Sequence, residues 1–162
     1  MGWGTTRAML ALVMLMVASI APVGVAHAEE ADFKATLQAA ERGDAAAQHN
    51  LGEMYRIGLG VTQDDAKARA SYLKAAEQGF AKAQWVLGAM YASGIGGPKD
   101  YVQACKWSAL SAQQRMKHDL KQAVEARDKV AKKMTPAQLA EAKRLVAEWK
   151  QRNAAQDGAA NE

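Results

Sequence analysis

Between residues 44 and 57 the apolar positions Ala47, Leu51, Met54 and Tyr55 fall three and four apart, the spacing that places side chains on one face of a helix. Residues 64 to 78 carry a second such stripe in Ala68, Tyr72, Ala75 and Ala76. The pattern predicts a helix A over 44–57 and a helix B over 64–78, then the same pair again over 80–93 and from 100 onward. Near the C-terminus, Leu139, Ala142, Leu145, Val146 and Trp149 form one more apolar stripe behind Thr135-Pro136. Proline is well suited to the first position of a helix, so that dipeptide marks the start.

The two pairs are copies. At an offset of 36 the chain matches itself at 14 of the 36 positions from Ala40 to Ala75, without a gap. Alanine abundance cannot account for the aligned Gly43/Gly79, Leu51/Leu87, Gly52/Gly88, Tyr55/Tyr91, Gly58/Gly94, Gly60/Gly96 and Asp64/Asp100. Gly58 and Gly94 end helix A, because glycine adopts the positive φ that terminates a helix. Asp64 and Asp100 open helix B, where a carboxylate accepts free backbone N–H groups. Gly52 and Gly88 lie inside helices, where glycine costs about 1 kcal/mol relative to alanine; their recurrence predicts close approach by a neighbouring helix.

The expected fold is therefore all-α, an α-α superhelix: a short solenoid of antiparallel helix pairs. Its repeats span about 44–79 and 80–115, with a degenerate half-repeat at 32–43 and capping helices over 116–152, since terminal repeats of a solenoid are atypical. Residues 153–162 are small and polar and are expected to be a disordered tail.

Residues 1–28 have the layout of a secretory signal. Arg7 precedes the apolar run Ala8 to Ile20, and Ala26-His27-Ala28 places small residues where a signal peptidase reads. Cleavage is expected after Ala28, with the product periplasmic or secreted and without an integral membrane segment. Cys105 is the single cysteine, so no intrachain disulfide supports the fold. Removing the leader takes away Arg7 and no acid. The remaining basic excess is C-terminal: 113–162 holds eleven Lys/Arg against seven Asp/Glu, whereas 29–112 holds nine against ten. The basic residues lack interleaved aromatics for base stacking, and nucleic acid is not an expected partner.

The first copy, with Ala40, Gly43, Ala47, Leu51-Gly52, Tyr55, Gly58, Gly60-Val61, Asp64, Lys67-Ala68, Tyr72, Ala75-Ala76 and Gly79, resembles the Sel-one-like repeat, a 36-residue relative of the tetratricopeptide repeat. The second copy departs at Gly97, Gln103 and Ser108, while Trp107 supplies an aromatic where the first has Ser71. The segment from Met134-Thr135-Pro136 to Trp149 is similar to a tail that many exported members carry. The resemblance implies an α-solenoid used for protein–protein contact, often as an adaptor in envelope or export processes. That step is an analogy of fold, not of site.

Groupings that carry chemistry are sparse. His49 and His118 sit apart, without Cys or carboxylates at metal-ligand spacing, and are expected on exposed helix faces; no metal or cofactor is expected. Gly94-Ile95-Gly96-Gly97 lacks the strand and the Lys-Ser/Thr of a phosphate loop. Ser71-Tyr72-Leu73-Lys74 fits the S-x-x-K of penicillin-interacting enzymes, and some disulfide-rich relatives of the repeat family have been linked to β-lactam binding. No S-D-N or K-T-G accompanies it. A binding surface has more support. Positions free to differ between copies include His49, Asn50, Glu53 and Arg56 against Trp85, Val86, Ala89 and Ala92. The expected partner-binding set is His49, Asn50, Glu53, Arg56, Trp85 and Ala89, contacting a protein or peptide. Trp85 stands either as an exposed anchor or as a core residue between helices. Two competing readings are a β-lactam-interacting or hydrolytic enzyme using Ser71 and Lys74, and a wall-associated structural protein whose Lys129, Lys132 and Lys133 contact anionic polymers.

Overall fold

The structure is a computed structural model that describes residues 23–114 and 117–159, with side chains described over 29–113 and 121–156. All regular structure among the described residues is helical: α1 Val23–Glu41, α2 Ala45–Ile57, α3 Asp65–Glu77, α4 Ala81–Ser93, α5 Tyr101–Gln114, α6 Lys117–Ala131 and α7 Pro136–Ala159. Helices α1 to α6 pack each on the next and α7 packs on α5; α2, α4 and α6 occupy the A position of successive units and α1, α3, α5 and α7 the B position. The expected all-α solenoid is what forms.

Local chemistry sets the boundaries. Asp44 and Asp64 cap α2 and α3 by accepting the N–H groups of Ala47 at 2.8 Å and Lys67 at 2.9 Å, and Asp100 accepts that of Gln103 at 3.0 Å. Gly58 and Gly94 close α2 and α4 in the left-handed region, φ 76° and 80°. The chain then turns back so that Asp64 N–H donates to the Tyr55 carbonyl at 2.8 Å, and Asp100 N–H to that of Tyr91 at 3.0 Å. Each A–B loop is thereby clasped to its own helix A. The second copy loses one cap: Phe80 replaces Asp44 in register and makes no side-chain cap bond.

Between units a second clasp recurs. Buried Gln48 donates through Nε2 to the carbonyl of Ala40, and buried Gln84 to that of Ala76, both at 3.1 Å. Each bond ties helix A to the last turn of the preceding helix B, at a carbonyl that also accepts the N–H of the glycine that follows, Gly43 at 3.1 Å and Gly79 at 3.0 Å. The recurring interior glycines have the predicted cause. A Cβ on Gly52 would stand 2.7 Å from the Tyr72 ring, and one on Gly88 2.6 Å from Ser108 Oγ. The main core runs through α3, α4 and α5, from Tyr72 and Leu87 to Trp107 and Leu110, with Trp149 of α7 completing it.

The ends differ from the repeats as capping requires. Asp32 is exposed where the copies bury Ala68 and Ala104, which makes the outer face of α1 polar. At the other end α7 lies on α5 and reaches α3. Lys106 Nζ, on a side chain only 8% exposed, sits 3.5 Å from Glu77 Oε1, and Arg152 meets the other oxygen of Glu77 at 3.5 Å. Burial drives the Lys106 ammonium below its usual value, against the attraction of Glu77. Trp149 packs over Gly79, and Asn153 Nδ2 points at the Glu77 carbonyl.

Two boundaries depart from expectation. The half-repeat expected from residue 32 is a helix already under way at Val23, and it supports the Gly60 loop through the Glu29 carbonyl. The tail expected to be disordered from 153 continues α7 to Ala159, because Ala154, Ala155 and Gln156 are good helix formers extending a helix already docked by Trp149. Residues 160–162 lie outside the described residues, as does most of the expected leader, residues 1–22. Among the described residues no helix is long and apolar enough to cross a membrane.

Candidate partner-binding groove

The helix A layer presents a groove of about 420 Å³ between α2 and α4. Glu53 and Arg56 of α2 form one wall, and Trp85, Val86, Ala89 and Met90 of α4 the other. Gln63 and Asp65 border it from the first A–B junction, and Ser93 and Ile95 from the end of the second helix A. Arg56 and Ala89 are exposed, Glu53 and Trp85 half-buried. Such a volume lies within the range of clefts that hold small ligands or single side chains of a partner.

The charged wall is held from beneath. Tyr72, fully buried in α3, donates its hydroxyl to Glu53 Oε1 at 2.6 Å. Arg56 donates to Glu53 Oε2 through Nη2 at 2.6 Å and Nε at 3.1 Å. Burial pushes the Glu53 carboxyl up, but the Tyr72 and Arg56 hydrogen bonds outweigh it and hold the group below the ordinary carboxylate range. Burial and the Glu53 carboxylate together raise the Tyr72 phenol far above its usual value, so it stays a donor. An exposed Glu–Arg pair alone adds little stability; the buried Tyr72 is what fixes this one in place. In the second copy the same positions are Ala89, Ala92 and Ser108, which leaves that wall apolar.

Of the six residues expected to bind, the fold brings Glu53, Arg56, Trp85 and Ala89 to this groove. Asn50 is exposed on α2 but outside the lining. His49 departs from the exposed position expected of it. Its ring is half-buried, with centroids 5.4 Å from Tyr72 and 5.1 Å from Phe80. Nδ1 is buried without a hydrogen-bond partner, and burial lowers the His49 pKa despite nearby Glu53. Phe80, in the slot of the lost Asp cap, is what covers it. The side chain of His118 lies outside the described residues.

Sequence reasoning missed Asp65 and Ile95. The available signal was the loop: Leu59 and Ile95 are apolar at the same repeat position and stay 36% and 45% exposed. The competing sites are placed as follows. Ser71 is buried and donates its hydroxyl to the Lys67 carbonyl at 2.9 Å, one turn back in its own helix, while Lys74 is exposed. Lys129, Lys132 and Lys133 are exposed around the end of α6, with Lys133 Nζ 5.6 Å from the centre of the Tyr101 ring. Cys105 is 5% exposed, and burial raises its thiol pKa. Among the described residues no three metal-capable side chains converge.

Comparison with known proteins locates the chain. The family model described as Sel1 repeat matches residues 45–80 and 81–116, one residue later than the repeat boundaries read from the sequence. Among solved structures, the chain is similar to c5321, a protective antigen present in uropathogenic Escherichia coli strains displaying an SLR fold. Identity is 37% and the TM-score 0.68, over 79% of this chain and 27% of that one. It also matches a Sel1 repeat protein from Oxalobacter formigenes at 49% identity over 44% of this chain and 29% of that one, with a TM-score of 0.44. The chain thus spans less than a third of the length of these structures. No curated protein matches it. The two matched segments and the shared SLR architecture show that this chain carries two Sel1 repeats, at 45–80 and 81–116.

Proposed function

We propose that this protein is an exported adaptor that captures a protein partner in the groove between α2 and α4. Sel1 repeats are in general protein–protein interaction scaffolds, and the finer reading rests on one observation: the groove sets a fixed charged wall against an aromatic and apolar one. The charged wall gives orientation, and Trp85 gives the large desolvated contact on which interfaces tend to depend. Export is supported by the leader-like residues 1–28 and by the repeat register. Glu29, the first residue after the expected cleavage site, lies 36 positions before Asp65, where α3 begins. Cleavage after Ala28 therefore leaves the length of α1 that corresponds to α3 intact.

Crosslinking in the native envelope followed by mass spectrometry identifies the partner. Its affinity is then measured for the wild type and for a Trp85→Ala/Ala89→Arg double variant, which removes the aromatic contact and fills the groove with a charge at an exposed position. The variant is expected to lose at least tenfold in affinity with its thermal transition nearly unchanged. Unchanged affinity refutes the groove assignment.

A further inference from the structure

The niche that a helix A forms with the helices B on either side recurs along the solenoid, and its three copies are filled differently. In the middle copy it is packed solid. Leu87 of α4 and Trp107 and Leu110 of α5 are each at most 1% exposed there, with Leu73 and Tyr91 against them. In the first copy the register positions of Trp107 and Leu110 are Ser71 and Lys74, and a space of about 210 Å³ remains. In the capping unit, formed by α5, α6 and α7, the space is about 400 Å³.

The reason lies in the substitutions at the same register positions. Trp107 becomes Lys143, Tyr91 becomes Arg127, Leu73 becomes Ala109, Leu110 becomes Val146 and Leu87 becomes Ala123. Ala123 is fully buried, as Leu87 is, so the unit keeps its packing pattern but loses bulk. Ala109, Leu139, Ala142 and Val146 supply an apolar lining, with Cys105 among them. The aromatic side chains have been exchanged for long cationic ones that carry their charge toward water. Arg127 is hydrogen-bonded to Asp128 through Nε and Nη2, and Lys143 is exposed with no carboxylate partner among the described residues. The local balance is one net positive charge over an apolar cavity whose counterpart in the middle copy holds an indole.

We propose that the niche between α5, α6 and α7 is a binding site for an aromatic ring bearing a carboxylate, with the ring among Ala109, Leu139, Ala142 and Val146 and the carboxylate at Lys143 and Arg127. A free aromatic acid and a peptide ending in an aromatic residue present this same chemistry. The site is separate from the α2–α4 groove and does not depend on the adaptor reading.

The test uses the whole protein and N-acetyl-L-tryptophan, followed by calorimetry and by the alkylation rate of Cys105, the single cysteine of the chain. N-acetyl-L-tryptophan is expected to bind and to slow alkylation, and the uncharged N-acetyl-L-tryptophanamide to bind at least tenfold more weakly. A Lys143→Met variant should erase the preference for the acid. Lys143→Trp, which restores the aromatic of the middle copy, should abolish binding with a thermal midpoint equal to or above that of the wild type. A short peptide ending in tryptophan that binds more tightly than N-acetyl-L-tryptophan identifies a chain terminus as the source, and weaker binding identifies the free acid. Equal affinity for acid and amide overturns the proposal, as does retained binding in folded Lys143→Trp or failure of N-acetyl-L-tryptophan to bind.

Discussion

Substituting Gly52 with alanine separates a packing explanation from a propensity one, because the two predict opposite signs. On an exposed helix position the change gains about 1 kcal/mol. Here the added Cβ would stand 2.7, 2.8 and 2.9 Å from three atoms of the Tyr72 ring. That ring is fully buried and its hydroxyl is held by Glu53, so it has no open space to retreat into. Overpacking of this kind costs about 1–3 kcal/mol. Three contacts below 3 Å put the cost near the upper end, for a net loss of about 2 kcal/mol once propensity is subtracted. With a urea dependence of about 2 kcal/mol per molar, the unfolding midpoint followed by circular dichroism should fall by about 1 M. The decisive comparison is the same change in a Tyr72→Ala background, which removes the ring without placing a hydroxyl where Ser108 Oγ stands 2.6 Å from the corresponding Cβ position at Gly88. There Gly52→Ala should be neutral or stabilising. Gly88→Ala behaves differently: its Cβ also meets the Ser108 N and the Ala104 carbonyl at 3.2 and 3.3 Å, so Ser108→Ala should rescue it only in part. A raised midpoint for Gly52→Ala, or an equal loss in both backgrounds, refutes the close-approach account.

Three further outcomes follow from the packing of the ends and the loops. Glu77→Gln leaves the buried Lys106 ammonium without its counter-charge and should cost about 1–2 kcal/mol, below the value for a fully buried pair because Glu77 is partly exposed. Lys106→Met removes the buried charge and should be neutral or stabilising in the same urea titration; a larger loss than for Glu77→Gln contradicts this. Asp64→Ala and Asp100→Ala should each cost about 1 kcal/mol by loss of a helix cap, and a midpoint shift inside error for both would exclude that role. Because burial lowers the His49 pKa from 6.5, the fold favours the neutral ring. Its contribution is complete above 6.5 and is lost as pH falls through the folded value. The thermal midpoint should therefore drop as pH falls below 6.5 in the wild type and less in His49→Leu. Glu53 and Asp64, both held low, act in the same direction only as pH falls through their ordinary values of 4.5 and 3.8. An identical slope in the variant excludes His49 as the cause.

The repeat made most of the fold legible. Identities at an offset of 36 mark residues whose backbone or packing role leaves no alternative, and Gly52, Gly58, Asp64 and Gln48 each have such a role twice. The helices were readable wherever the copies agreed. The ends were less so, because capping units shed the recurring residues and are held by contacts far apart in sequence, such as Asn153 and Arg152 on Glu77. The groove was partly legible, since positions that vary between copies are those the scaffold leaves unconstrained, and Glu53, Arg56, Trp85 and Ala89, singled out that way, line it. His49 failed the same test for a physical reason. It varies between copies, yet Phe80 has moved over it in place of a cap, an exchange that helical periodicity does not register. The niche in the capping unit was equally hidden, because it consists of side chains that are smaller or longer than their counterparts.

Site-specific photocrosslinking tests the central claim most directly. A benzophenone side chain is placed at Ala89, exposed in the α2–α4 groove, or at Lys74, exposed beside the niche between α1, α2 and α3. Irradiation in intact cells should give one partner adduct from position 89 that Trp85→Ala removes, and none from position 74. An adduct from position 74 with none from position 89 would contradict the assignment of the groove as the binding face.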